Sequence, residues 1–194
     1  MATELSVALQ SLLSRRSTPA LQLTEPGPSQ QQIDLAVEAA LSAPDHGALR
    51  PLRLVLVRGE ARARLSELFV SRMQQRDGGI PAGKIDKARR MPLIAPLIIA
   101  VAARVVPQHK VPELEQLLSA GAGIMNLLNA FHVQGFGAIW LTGANAYDPQ
   151  IAEALGFSLD ERGLGFVYVG SLPPGMAAPA RRVQAAQAVR EWGG

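Results

Sequence analysis

The sequence predicts a mixed α+β fold in a single domain spanning residues 1–194. Two stretches near the start have the apolar periodicity of helices, and four short apolar runs further along have the length and composition of strands. No internal repeat and no interdomain linker separates them. The composition, 48% hydrophobic and 18% charged residues, is that of a globular protein and excludes a disordered one.

Two helices are predicted in the first 45 residues. Residues 4–14 place four leucines near helical spacing and end at Arg15, Arg16 and Ser17. The second helix has a capping box at its start, Ser29 followed by Gln32, and ends before Pro44. One face of this helix is apolar: Ile33, Ala36, Val37, Ala40 and Leu41.

The middle of the chain predicts a strand, a helix, a loop and a second strand. Residues 53–58 have strand character, and the run at residues 97–101 predicts a strand that is buried on both faces. A helix is expected between them at about residues 60–76. The glycine-rich segment 77–83 that follows is expected to be a mobile surface loop.

Residues 113–133 predict a long helix that is apolar nearly all round, which has to be buried centrally or against a partner chain. A short strand is expected at 138–141, and Asp148 with Pro149 predicts a helix start whose helix ends at Gly156. Residues 164–170 predict a further strand. The segment after Leu172 has too little apolar periodicity to pack alone.

Charge and composition argue against several classes of function. The net charge is +3, and no basic stripe with interleaved aromatic residues suggests nucleic-acid binding. Without cysteine, disulfides and thiolate metal sites are impossible, and the three histidines are too isolated to predict a metal site. The most apolar window, residues 92–103, contains two prolines and is shorter than the ~20 residues of a membrane helix. With no signal-peptide pattern at the N-terminus, a soluble cytoplasmic protein is expected.

Common nucleotide and hydrolase motifs are incomplete. Gly78, Gly83 and Lys84 have phosphate-loop spacing, but Ile85 stands where that loop needs a hydroxyl. Gly121 and Gly123 begin a dinucleotide fingerprint that Asn126 does not complete. No serine-hydrolase elbow is present.

Two polar clusters remain. Arg15, Arg16 and Ser17 offer two planar donor forks and a hydroxyl, which suit a terminal phosphate. The alternative is a solvated helix end whose cations complement the helix dipole. The second cluster, residues 43–46, ends in His46, which could instead cap the turn that begins at Pro44.

These clusters and their surroundings resemble the nitroreductase family of flavin-dependent proteins, in particular its short bacterial NAD(P)H nitroreductases. The resemblance covers nearly the whole chain and rests on the order and spacing of blocks that are individually weak. The blocks are residues 12–17, 43–46, 88–89, 95–99, 109–112, 119–121, 134–137, 139–140 and 165–170.

The resemblance implies a three-layer sandwich with a central, mainly antiparallel sheet flanked by helices, in an intertwined homodimer that holds FMN at its interface. The tail, residues 172–194, would pack on the partner subunit. The implied activity is electron transfer from NAD(P)H to nitroaromatic or quinone-type acceptors by a ping-pong mechanism. The alternatives are a flavin-binding protein of this fold with a different redox reaction or no turnover, and an anion-binding module that uses Arg15 and Arg16 on nucleic acid.

The resemblance also implies the site residues. Arg15, Arg16 and Ser17 would bind the FMN phosphate and ribityl chain, and Ser42 and His46 would contact FMN from the neighbouring subunit. Trp140, Leu141 and Thr142 would line the flavin, although a tryptophan in an apolar stretch is, without the resemblance, more often a core residue. The nicotinamide nucleotide would lie at residues 130–135, namely Ala130, Phe131, His132, Val133, Gln134 and Gly135. No catalytic acid and no metal ligand is implied.

Four positions depart from the family pattern: Ser42, Arg50, Leu52 and Leu141. Arg50, Pro51 and Leu52 stand where many nitroreductases have Asn or Gln, Pro and an aromatic residue. The related short proteins carry arginine where this chain has Ser42 and Leu141. Arg50 is therefore a candidate replacement cation near the flavin pyrimidine edge.

Overall fold

A four-stranded antiparallel sheet forms the centre of the computed structural model, which describes residues 6–76, 78–173, 175, 186 and 188–193. Its strands are β1 (Leu52–Arg58), β2 (Leu97–Arg104), β3 (Phe136–Leu141) and β4 (Glu161–Ser171), in the order β1-β2-β4-β3. Every neighbouring pair is antiparallel. The predicted α+β class and antiparallel sheet are confirmed, and β3 lies at one edge.

The described residues form six α-helices: α1 (Val7–Ser14), α2 (Gln30–Leu41), α3 (Ala61–Arg76), α4 (Ala82–Arg90), α5 (Glu113–Val133) and α6 (Pro149–Ala154). On one face of the sheet, α2 and α5 pack on each other and on the strands. On the other face, α3 contacts β1, α4 and α6. The molecule therefore has the three layers that were predicted.

The sequence of the central strand β2 does not alternate between apolar and polar residues. Seven of its eight residues are buried, because both faces carry helices. Leu97, Ile99 and Val101 belong to the core under α2 and α5, whereas Ile98 and Ala100 belong to the core under α3.

Side chains at the predicted N-cap positions accept hydrogen bonds from the first backbone N–H groups of α2 and α6. Ser29 Oγ accepts a hydrogen bond from the N–H of Gln32, whose Oε1 accepts from the N–H of Ser29, which completes the capping box. Asp148 accepts from the backbone N–H groups of Gln150 and Ile151 at the start of α6. Helix α5 has the predicted bounds, but only one of its faces is buried. The other face exposes Leu114, Leu118, Met125 and Val133.

Several predicted boundaries were wrong. The segment expected to be a loop at 77–83 ends in α4, which begins at Ala82 and was not predicted because its strongly charged sequence has few apolar residues. Strands β2 and β4 extend beyond their apolar runs, since Arg104 and Glu161 still pair in register. The tail predicted to pack on a partner lies mostly outside the described residues. In the described part of the chain, no helix has the length and hydropathy needed to cross a membrane.

Candidate functional site

The arginine pair lies where the chain leaves α1 and passes the edge of the sheet. Arg15 is the C-cap residue of α1, and its backbone N–H donates to Ser11 O at 3.1 Å. Three residues later the N–H of Thr18 donates to Ala138 O in β3, at 3.0 Å. Thr18 is buried, so this connection fixes Arg15, Arg16 and Ser17 beside the edge strand.

The C-terminal end of α5 reaches the same place. His132 Nε2 lies 2.9 Å from Ser14 Oγ, a contact that no sequence pattern indicated. Partial burial lowers the pKa of His132, and the positive charges of Arg15 and, to a lesser degree, Arg16 lower it further. Cations that disfavour a third positive charge create a local potential that suits an anion.

A cavity of about 480 Å³ opens at the carboxyl end of β3. Its rim contains Leu141, Thr142 and Gly143, which directly follow or end the strand. Phe166 and Tyr168 of β4 form part of its apolar wall. Burial raises the pKa of Tyr168 above its ordinary value, so its hydroxyl stays neutral at physiological pH. Leu141 lies three residues beyond Ala138, or about 10 Å along the strand, so the arginine pair and the cavity flank one strand.

Three cations line this cavity: Arg76 of α3 and Lys84 and Lys87 of α4. Arg76 is paired, because its guanidinium donates to Asp148 Oδ2 and to Asn145 Oδ1, both at 2.6 Å. Neither lysine forms an ion pair within the described ranges. Neither lysine was predicted from the sequence as a site residue, although a spacing of three in a helix puts Lys84 and Lys87 on one face.

Asp148 joins α3 to the segment that forms the cavity rim. Its carboxylate is almost fully buried and accepts from Arg72 Nε at 3.1 Å and from Arg76 Nη1 at 2.6 Å. Burial alone would raise the pKa of Asp148, but the hydrogen bonds from both arginines and from the α6 backbone hold it below its ordinary value.

Trp140 is held on the opposite side of β3 from Leu141. Its ring N–H donates to Leu164 O at 2.9 Å, beside the bulge that interrupts the pairing of β2 and β4. Gly165 follows with a φ of +133°, and a Cβ there would lie 2.6 Å from Trp140 Nε1. Trp140 is 37% exposed, so it is not a buried core residue.

His46 lies at the other end of α5 from the arginine pair, whereas Ser42 follows α2 beside the middle of α5, where Asn126 Nδ2 donates to Ala39 O at 3.1 Å. Ser42 Oγ donates to Ala39 O at 2.8 Å, and His46 Nδ1 contacts Glu115 Oε2 at 2.6 Å. Glu115 and His132 are separated by about 25 Å of helix. One protomer therefore does not bring His46 to its own Arg15 and Arg16. The loop cap is Asp45 rather than His46, since Asp45 accepts from the backbone of Leu49 and Arg50.

This loop is strained. Ala48 has a φ of +51° and Arg50 a φ of +49°, and Arg50 precedes a proline, which further disfavours that conformation. Such residues cost about 1–3 kcal/mol each and persist where the surroundings fix them. Arg50 and Asp45 line a second cavity of about 290 Å³, together with residues of α2, β1 and α5.

The six residues predicted to bind the nicotinamide nucleotide lie at the C-terminal end of α5, and their side chains have different environments. Phe131 is fully buried in the core, and Ala130 packs against that core. Gln134 Nε2 donates to Gln32 O at 3.1 Å. His132 contacts Ser14, whereas Val133 and Gly135 are exposed. Nucleotide binding by this stretch stays a prediction, and the Phe131 side chain has no access to a ligand.

Comparison with known proteins gives a consistent result. The family model described as "Nitroreductase family" matches residues 12–171. A protein of Escherichia coli (strain K12) named "Putative NAD(P)H nitroreductase YdjA" is 40% identical over 168 residues, which cover 84% of this chain and 87% of the relative. A "Putative NAD(P)H nitroreductase" of Haemophilus influenzae is 34% identical over 165 residues, 84% of this chain and 88% of that protein.

Solved structures share the fold. A nitroreductase-like family protein from Bacillus cereus superposes with a TM-score of 0.78 at 20% identity, with all of both chains covered. A protein from Desulfovibrio desulfuricans described as a "putative nitroreductase in complex with fmn" gives a TM-score of 0.73 at 21% identity, with 97% of this chain and 98% of that chain covered. Because the family model spans the sheet and all its helices except the start of α1, and the curated relatives match most of the chain, this chain belongs to the nitroreductase family.

Proposed function

We propose that the protein is an FMN-dependent oxidoreductase that takes electrons from NAD(P)H and passes them to nitroaromatic or quinone-type acceptors. The observation that carries this proposal is the placement of the arginine pair and the 480 Å³ cavity on one edge strand. A phosphate at one end and a planar ring at the other would span β3 as FMN requires.

The residues present fit this cofactor. Arg15, Arg16 and Ser17 supply charged donors and a hydroxyl for a phosphate at the end of α1. The cavity supplies aromatic and aliphatic walls from Phe69, Met91 and Phe166, as ligand sites for planar molecules do.

The protein residues would hold the ring and adjust its charge. When bound, FMN would take a hydride from NAD(P)H and deliver two electrons to the acceptor in a second half-reaction. Lys84 and Lys87 would then neutralise the negative charge that the ring gains on reduction. Asp148 would keep Arg76 and the cavity rim in place through its buried ion pairs.

The relatives support the same proposal. Both curated relatives are named as NAD(P)H nitroreductases, and structures with bound FMN from Desulfovibrio desulfuricans and Bacteroides fragilis share the fold.

A homodimer would complete the site. Helix α1 has no buried residue. The exposed fractions of its large apolar residues are 42–81%, for Val7, Leu9, Leu12 and Leu13. Helix α5 adds Leu114 and Leu118, which lie near His46 at the end of the molecule remote from the arginine pair. Exposed apolar residues in such number mark a protein interface. A second copy that covers these helices would bring its Ser42 and His46 towards the first copy's flavin.

The direct experiment measures flavin binding and reduction. Purified protein should carry FMN, and anaerobic mixing with NADH or NADPH should bleach its absorbance. Steady-state oxidation of the nucleotide should then depend on a nitroaromatic or quinone acceptor. FMN that neither nucleotide reduces would refute the oxidoreductase proposal and favour a flavin-binding protein without this turnover.

The arginine pair is tested by the double variant Arg15→Ala, Arg16→Ala. Loss of two charge-assisted contacts should weaken FMN binding by about 100-fold or more. The matched control is Arg58→Ala, Arg64→Ala, which removes two exposed cations from β1 and α3, away from the β3 edge. Equal FMN affinity in the two double variants would rule out the phosphate assignment.

A further inference from the structure

The cavity beside Arg50 is separate from the proposed flavin cavity and has a charged wall of its own. It lies between the end of α2, the start of β1 and α5, and its lining includes Leu41, Asp45, Arg50 and Ser119. No residue of this lining belongs to the 480 Å³ cavity.

The backbone of Arg50 is fixed from three sides in its strained conformation. Asp45 Oδ2 accepts from the Arg50 N–H at 2.6 Å, while Asp45 Oδ1 accepts from the Leu49 N–H at 3.1 Å. Arg53 Nη1 donates to Arg50 O at 2.8 Å. Pro51 has a fixed φ of its own and sterically restricts the backbone of Arg50, the residue before it. The guanidinium group therefore extends from a rigid base, and glycine at this position would adopt the same backbone without strain.

The carboxylates near Arg50 contact other groups, so its guanidinium has no carboxylate partner among the described residues. Both Asp45 oxygens accept backbone N–H groups, and the Glu115 carboxylate contacts His46. The hydroxyl of Ser119 donates to Pro44 O. Across the described ranges, Arg50 forms no ion pair. A guanidinium group offers five donors in a plane, an arrangement that matches a carboxylate or a phosphate.

We propose that Arg50 and this 290 Å³ cavity bind the anionic oxygen group of a small molecule that exchanges electrons with the protein. The inference rests on the proposed function and adds that the electron donor or acceptor carries a negative charge. The group is a carboxylate or a phosphate, carried either by the electron acceptor or by the nucleotide donor. In a dimer, this cavity belongs to the same loop and helix end as Ser42 and His46.

The test compares Arg50→Gly with Ala48→Gly. Both substitutions remove the strain of a positive φ, so both variants should keep or exceed the wild-type melting temperature. Only Arg50→Gly removes the cation. Calorimetric titration of each purified protein should use 4-nitrobenzoate against nitrobenzene, and 2′,5′-ADP against adenosine.

Arg50→Gly should weaken binding of one anionic probe by about tenfold or more, while Ala48→Gly leaves it unchanged. Arg50→Lys should recover part of the affinity, since it keeps the charge but not the planar fork. A loss confined to 4-nitrobenzoate identifies an acidic acceptor, and a loss confined to 2′,5′-ADP identifies the phosphate of the nucleotide. Unchanged binding of both anions in Arg50→Gly would overturn the inference.

These measurements separate this inference from the proposed function. FMN content is measured for all three variants and anion affinities are compared at equal flavin occupancy, because the loop that carries Arg50 also carries His46, which would contact FMN from the neighbouring subunit. An anion affinity that falls only in proportion to lost FMN would contradict the inference. A wild-type protein without flavin that still binds 4-nitrobenzoate through Arg50 would refute the proposed function alone. A yellow, reducible protein whose anion affinity is independent of Arg50 would refute the anion site alone.

Discussion

His132 links the end of α5 to the arginine pair by charge as well as by contact. Its imidazole contacts Ser14 Oγ, and its pKa is lowered by burial and then by Arg15 and Arg16. The folded protein therefore favours the neutral imidazole, and the local positive charge is kept available for an anion. Neither the position of His132 in the sequence nor its spacing from Arg15 indicated this pairing.

The stability of the protein should depend on pH through His132. Because folding lowers its pKa, the unfolded chain takes up a proton at higher pH than the folded chain does. The free energy of unfolding should thus fall as the pH drops below about 6.5, the ordinary value for histidine. Urea denaturation between pH 7.5 and 5.5 should show a shallower pH dependence for His132→Gln, and an intermediate one for Arg15→Gln. Parallel curves for wild type and His132→Gln would contradict this assignment.

Asp148 shows how one side chain positions several elements. It caps α6, pairs with two arginines of α3 and lies close in the chain to the segment from Thr142 to Ala146 that lines the cavity. The sequence predicted the cap from Asp148 and Pro149. The arginine partners lie more than 70 residues earlier, so only tertiary structure could bring them together.

Asp148→Ala should lower the free energy of unfolding by about 3 kcal/mol, because it leaves two partly buried guanidinium groups without a counter-charge. Asp148→Asn should lose less, since asparagine also caps helices. The control is Asp86→Ala, which breaks an exposed pair with Arg89 and should change stability by about 0.5 kcal/mol or less. Urea denaturation measures all three, and equal losses for Asp148→Ala and Asp86→Ala would contradict the role of burial.

The two helical layers of the molecule differ in how much apolar surface they expose. Helices α3, α4 and α6 cover one face of the sheet, while α1, α2 and α5 leave large apolar side chains exposed on the other. His46 and the arginine pair also lie at opposite ends of α5. A second copy of the chain would account for both features.

Leu118→Asp should therefore disrupt the dimer. Leu118 is 63% exposed on α5, and a carboxylate there would be buried without a partner in the interface. Light scattering after size-exclusion chromatography should give a monomer for Leu118→Asp, with weakened FMN binding. Leu159→Asp, a substitution at a fully exposed turn before β4, should remain a dimer. A dimeric Leu118→Asp protein, or a monomeric wild type, would contradict the proposed interface.

The sequence by itself determined the features that depend on neighbours along the chain. Helix α5 has its predicted bounds, the capping box at Ser29 and the cap at Asp148 form as predicted, and the four strands lie where the apolar runs are. Local periodicity and capping suffice for these because their hydrogen bonds join residues a few positions apart. The family resemblance is likewise confirmed, since it rests on the order of motifs.

Only the tertiary structure decided which of the chemically suitable residues meet. It placed the arginine pair beside β3 and His132, brought Lys84 and Lys87 into the 480 Å³ cavity, and separated His46 from the arginine pair. It also showed that Phe131 lies in the core and that Arg50 occupies a strained, rigid loop. These relations depend on contacts between residues far apart in the chain, which side-chain packing and burial select and which no local pattern encodes.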